Sequence, residues 1–266
     1  MKRRHFLSSG VVMALAYGFH FPAQAQVISS SDAINKAGRQ RMLSQRIAKA
    51  YLQIGLGVDL DQSNRILDAS LSLFDRQLVE LKNYAPTPEI KFNLLTAEKI
   101  WLSYKDILLG RAPAPADAKK VLQASESLLE IADKVTQLLE KQANNRAGTL
   151  VNISGRQRML SQRMAKLYQA IQWGVAPSDA NTLLEAARKE FNVNLNALEA
   201  TPLNTKQIQT ELGLAKQQWT YFDHAIRQAP DTRMRQQYAT TVATTSERIL
   251  AQMDIVTGLY QAMKSE

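Results

Sequence analysis

The chain contains no cysteine. Disulfides, thiol nucleophiles and cysteine-based metal sites are therefore excluded. Histidine is almost as rare: only His5, His20 and His224 occur. The first two fall in a segment expected to be removed, so a histidine-based metal cluster is excluded as well. Glycine and proline number 11 and 8 among 266 residues, and long stretches contain neither. That scarcity favours helix over a turn-rich β fold. A second long apolar run is also missing. After the first residues, nothing is apolar enough to cross a membrane.

The one apolar run, Leu7 to Phe21, follows Lys2, Arg3 and Arg4. A basic start, a modest apolar stretch and a small-x-small ending at Ala23-Gln24-Ala25 make a signal peptide. Residues 1–25 are expected to be cleaved, with the mature chain starting at Gln26 and residing in the periplasm. The run is too interrupted for a span of ~20 apolar residues. Arg3-Arg4-His5-Phe6-Leu7 resembles the twin-arginine pattern, which makes that export route the favoured one over general secretion.

The net charge is +9. Three of those charges are Lys2, Arg3 and Arg4, which leaves +6 for the rest. In an exported protein this basicity does not point to nucleic acid. An apolar fraction of 45 % supplies an ordinary core. The length suits one large domain or two of roughly 100–150 residues.

A tandem repeat decides between these. Residues 34–53 read INKAGRQRMLSQRIAKAYLQ, and residues 151–170 read VNISGRQRMLSQRMAKLYQA. The offset is 117, and GRQRMLSQR is identical in both. The same offset carries Phe74 onto Phe191. An offset of 118 carries Ala97 and Trp101 onto Ala215 and Trp219. An offset of 121 carries Ser125-Glu126 and Asp133 onto Ser246-Glu247 and Asp254. The drift falls where loops belong, so the duplication covers nearly the whole mature chain.

Each half reads as four helices, near 31–56, 59–84, 88–110 and 116–144, then 148–173, 178–200, 205–228 and 231–264. Gly55-Leu56-Gly57 and the prolines at 86, 88, 113, 115, 177, 202 and 230 mark the breaks. Asp59, Thr87, Asp117, Ser178 and Asp231 are expected as N-caps or first-turn acids. Short connections favour antiparallel neighbours. The expected class is all-α: two up-down four-helix modules, over residues 27–144 and 145–266. One junction is open. Either a single helix runs through residue 145, setting the modules end to end, or Asn144 to Gly148 turns and sets them side by side.

On a helical wheel the motif helix has two apolar sides. Leu43, Ile47, Ala50 and Ile54 form a stripe for the module's own core. The opposite side gathers Ile34, Ala37, Gly38, Ser44, Gln45, Ala48 and Leu52 around Arg41. The second copy repeats it with Val151, Ser154, Gly155, Ser161, Gln162 and Ala165 around Arg158. Glycine inside a helix costs ~1 kcal/mol relative to alanine, so two at matching places imply a close approach of another helix or a ligand. Arg41 and Arg158 then lie in a tight seam and require an anionic partner. A carboxylate such as Asp133 or Glu130 would serve, and so would a planar oxyanion matching the guanidinium fork. Arg39, Arg46 and Lys49 lie on flanking sides and read as a solvated face that raises the local positive potential; Arg39 and Arg156, with Gln45 and Gln162, are supporting candidates for an anion.

The string N-x-x-G-R-Q-R-M-L-S-Q-R-x-A-K resembles the sensory-domain signature of the NarX/PilJ-like group. The resemblance covers both halves of residues 27–266. It implies a periplasmic four-helix bundle of the kind found in nitrate or nitrite sensor kinases and type IV pilus chemotaxis transducers. It also implies a ligand site between first helices, at Gly38 and Arg41 in one copy and Gly155 and Arg158 in the other. The chain shows no kinase or methyl-accepting coiled coil of that group, so it is expected to report to a membrane sensor or transporter, with a homodimer as another option. The leading expectation is a binding or sensory protein for a small oxyanion, nitrate or nitrite. The alternative is a ligand-free interaction module docking a signalling or pilus-chemotaxis partner. An enzyme is the weakest reading, since no nucleophile–base pair or cofactor loop is present. No catalytic residue, metal or cofactor is expected. His224 reads as a surface or partly buried side chain, and Trp101, Trp173 and Trp219 as core or interface anchors.

Overall fold

The computed structural model describes residues 26–228 and 234–263. The expected signal peptide and the Asp231 cap lie outside the described residues. Eight helices are present among those described: α1 (Ser30–Leu56), α2 (Leu60–Tyr84), α3 (Pro88–Leu108), α4 (Pro115–Ala143), α5 (Arg146–Trp173), α6 (Ala180–Ala200), α7 (Lys206–Ile226) and α8 (Arg235–Gln261). No strand occurs among the described residues.

The helix ends follow from local chemistry. Ser29, Asp59, Thr87, Asn145 and Thr205 each cap the following helix, their side-chain oxygens accepting an orphan backbone N–H. Asp117 is a first-turn acid in α4. Ser178 is not a cap: α6 starts after Asp179, which makes no side-chain capping bond. The first helix ends within the expected Gly55-Leu56-Gly57 stop: it runs to Leu56, and Gly57 closes it at φ 72°. Only a residue without a Cβ adopts that left-handed turn cheaply.

Helices α1–α4 form one up-down four-helix bundle and α5–α8 a second. Each core repeats the other. Phe74 lies 4.1 Å from Trp101 in the first, and Phe191 lies 4.2 Å from Trp219 in the second, centroid to centroid. The buried indole N–H groups are satisfied alike, Trp101 donating to Asp75 at 2.7 Å and Trp219 to Asn192 at 2.9 Å.

The open junction resolves as a turn. Asn144 takes a left-handed conformation at φ 45°, ending α4, and Asn145 caps α5. The chain thus reverses, and α5 runs parallel to α1. Among the described helices these two share the largest contact of any pair, exceeding that of any pair within either bundle. The bundles therefore lie side by side about an approximate two-fold axis between α1 and α5.

Candidate functional site

The α1–α5 seam is built from the duplicated motif. Both of its central arginines, Arg41 and Arg158, are 0 % exposed. They approach each other across Gly38 and Gly155. A Cβ placed on Gly38 would lie 3.2 Å from Nη2 of Arg41 and 3.8 Å from Nη2 of Arg158; on Gly155 it would lie 3.1 Å from Arg158 and 3.8 Å from Arg41. The glycines therefore make room for two guanidinium groups rather than for a bare backbone contact.

Each guanidinium bridges the two modules. Arg41 donates through Nη1 to Asp133 at 2.6 Å, on α4 of its own module. Through Nη2 it donates to the Asn152 side chain at 2.7 Å and its carbonyl at 3.3 Å, on the other module. Arg158 mirrors this, with Asp254 on α8 and, across the seam, Asn35 at 2.6 Å. Of the two carboxylates expected for Arg41, Asp133 is the one used.

Burial pushes both arginines down from their ordinary range, with Asp133 and Asp254 opposing; Arg158 falls to about 10. Burial alone would push the two aspartates up, but the arginine charges beside them hold both below the usual carboxylate range.

The flanking cations are not a solvated face. Lys49 and Lys166 are 0 % and 1 % exposed. On one side of the axis, Arg39 reaches Asp254 at 2.6 Å, while Arg46 and Lys49 both hold Glu247. On the other, Arg156 reaches Asp133 at 3.0 Å, while Arg163 and Lys166 both hold Glu126. All six pairs join one module to the other. The solvated reading fails because these residues flank a second helix surface, where α4 and α8 supply acids that a single-helix wheel cannot see. Glu247 shows the strength of the field: burial would raise it, yet Lys49 and Arg46 hold it down at about 2.

Gln45 and Gln162 do not face the arginine forks. Their amide nitrogens donate to the Ser125 and Ser246 carbonyls at 3.0 and 2.9 Å, tying α1 to α4 and α5 to α8. Sequence reasoning missed Asn35, Asn152, Lys49 and Lys166 as seam residues. The signal was available in part, since all four recur at the motif's own offset of 117. At the far end of the seam, Gly55 lies directly against the Trp173 ring, where a Cβ would sit 2.1 Å away.

Four guanidinium groups, of Arg39, Arg41, Arg156 and Arg158, thus converge on Asp133 and Asp254; Arg156 has a further carboxylate in Glu190. Nε of Arg41 and Nε of Arg158 are buried with no partner. A groove of about 760 Å³ between α4, α5 and α6 reaches the edge of this network at Asp133 and Arg156. Among the described residues, no group of acids and histidines could hold a metal ion, and no helix is long and apolar enough to cross a membrane. His224 is exposed on α7, and Trp101 and Trp219 are core.

A family model described as type IV pili methyl-accepting chemotaxis transducer N-term matches residues 24–137 and, again, residues 138–245. No curated protein and no solved structure matches significantly.

Proposed function

We propose a function on the premise that the chain belongs to the PilJ family, the N-terminal domains of type IV pili methyl-accepting chemotaxis transducers, and carries that domain twice. The protein acts as an exported helical interaction module, a pre-paired sensory unit that docks in the periplasm on a membrane signalling partner of the pilus-chemotaxis type. Its two units are divided at Asn144–Asn145. The observation that carries this reading is the self-sufficiency of the seam. Arg41 and Arg158 already hold a carboxylate and an asparagine each, so both buried charges are answered within the chain without a ligand. The motif then serves to lock two sensory bundles in one relative placement, which a partner can read.

The second reading is the small oxyanion, nitrate or nitrite, at Gly38, Arg41, Gly155 and Arg158. It is favoured by the surplus of guanidinium over aspartate and by the two unpartnered Nε groups. Thermal unfolding separates the two. Nitrate, nitrite, sulfate and chloride are compared at matched ionic strength. The interaction module gives no rise in nitrate or nitrite over chloride, sulfate stabilising only as an excluded anion. A ligand at ~100 times its dissociation constant adds about 2.7 kcal/mol, and a nitrate-selective rise of that size, lost in Arg41→Ala/Arg158→Ala, would establish the second reading instead. The docking itself is tested in the bacterium that makes the protein. Deleting its gene is expected to impair pilus-driven surface motility toward an attractant. Unimpaired, directed motility in the deletion strain would sink the proposal.

A further inference from the structure

The two modules differ on the outward face of their third helices. On α3, residues 92, 95, 99, 102, 106 and 109, the last just past the helix end, are all exposed and follow one another at alternating steps of three and four. Four of the six are large and apolar: Phe92 is 69 % exposed, Leu95 41 %, Leu102 53 % and Leu109 56 %. The core of the bundle is served by other positions on the same helix, Ile90, Leu94, Ala97, Trp101, Tyr104 and Leu108. A helix with a second stripe at heptad spacing carries the seam of a coiled-coil contact. A contiguous patch of such residues marks an interaction surface rather than ordinary exposed apolar area.

The second module is an internal control. The offset of 118 that aligns Trp101 with Trp219 places Thr210, Gly213, Gln217, Thr220, His224 and Arg227 at the six positions. Not one is a large apolar residue. The stripe is thus no requirement of the bundle fold, which α7 builds without it.

The two polar members of the stripe identify the occupant. Lys99 and Asp106 have opposite charge, and neither has an ion-pair partner within the chain among the described residues. In an antiparallel pairing of α3 with a second α3 about a two-fold axis near residues 100–101, Phe92 meets Leu109, Leu95 meets Asp106, and Lys99 meets Leu102. Lys99 then lies about one helical turn from the partner's Asp106, and the symmetry makes this ion pair twice. We infer that the outer face of α3 is a self-association surface, through which two copies of the chain pair antiparallel, α3 on α3, leaving the α1–α5 seam within each copy untouched.

Two helices alone cover less than the ~800 Å² per partner of a standard interface, so the dimer is weak and concentration-dependent. Sedimentation equilibrium on residues 26–266, which contain every described helix, is expected to show monomer and dimer exchanging in the micromolar range. Leu102→Glu is expected to raise the dissociation constant more than ~10-fold, and Tyr221→Glu, on the outer face of α7, to leave it unchanged. Lys99→Asp alone weakens the dimer, and Lys99→Asp/Asp106→Lys restores it. All these sites are exposed, so folding is preserved and circular dichroism verifies it. A wild-type chain that stays monomeric to ~1 mM, where association is weaker than about 4 kcal/mol, overturns the inference. So does a dimer indifferent to Leu102→Glu, or one that the double charge swap fails to restore.

Discussion

Asp133 and Asp254 each answer for a buried arginine, and the consequence of removing either is asymmetric. Losing the carboxylate strands a guanidinium that has no route to water, which typically costs about 3 kcal/mol or more. Asp133→Ala and Asp254→Ala are each expected to lower the unfolding free energy by about that much in urea titrations at neutral pH. Lys134→Ala, one residue along and exposed, should stay within about 0.5 kcal/mol. An equal effect at both positions would mean that the seam's ion pairs carry no special weight. The arginines and glycines of this network were legible from residues alone, because a glycine and an arginine recur together on an apolar helix side. Asn35 and Lys49 were not. A lysine is seldom buried, and the group that makes burial tolerable for Lys49 is Glu247, 198 residues away in the chain.

The helix ends show the same division between local and distant causes. Among the described residues, six prolines and the side-chain caps fix most of them within two residues, and those signals lie in the immediate sequence. The turn at Asn144–Asn145 is different. Its residues tolerate helix or turn with little local preference, and the choice is made by the apolar side of α1, which finds cover only if α5 returns alongside it. Gly55 belongs to this class too: it opens the Gly-Leu-Gly stop, but its packing partner is the Trp173 ring across the seam, which local sequence does not reveal. Gly55→Ala should therefore destabilise by about 1–3 kcal/mol through overpacking, although alanine is the better helix former. Gly213→Ala in α7, where a Cβ would meet nothing within 4 Å, should stabilise by about 0.5–1 kcal/mol. Thermal midpoints of the two variants moving in the same direction would contradict the close packing assigned to the seam.

Across the whole molecule, the six inter-module pairs make the placement of the bundles sensitive to acid. Glu247 is held at about 2 against an ordinary 4.5, and Glu126, Asp133 and Asp254 shift in the same direction. Below the ordinary value the unfolded chain takes up protons that the folded chain refuses. The stabilisation is therefore complete above about pH 4.5 and drains away as pH falls toward about 2. The melting temperature should be nearly level through neutral pH and drop steeply below that point, with Glu247→Gln giving a lower but flatter curve. A wild-type curve level down to about pH 3 would contradict this linkage. Because α1 packs more extensively on α5 than on either neighbouring helix of its own bundle, both modules should also unfold in one calorimetric transition; two resolved transitions would show the seam to be weaker than its contacts suggest. The short turn between α4 and α5 has one more effect. Two free bundles would meet by diffusion, and the fraction paired would follow how much protein the cell makes. A tether of two residues replaces that second-order encounter with an internal one, so a single molecule, however dilute, carries its two-fold unit already assembled.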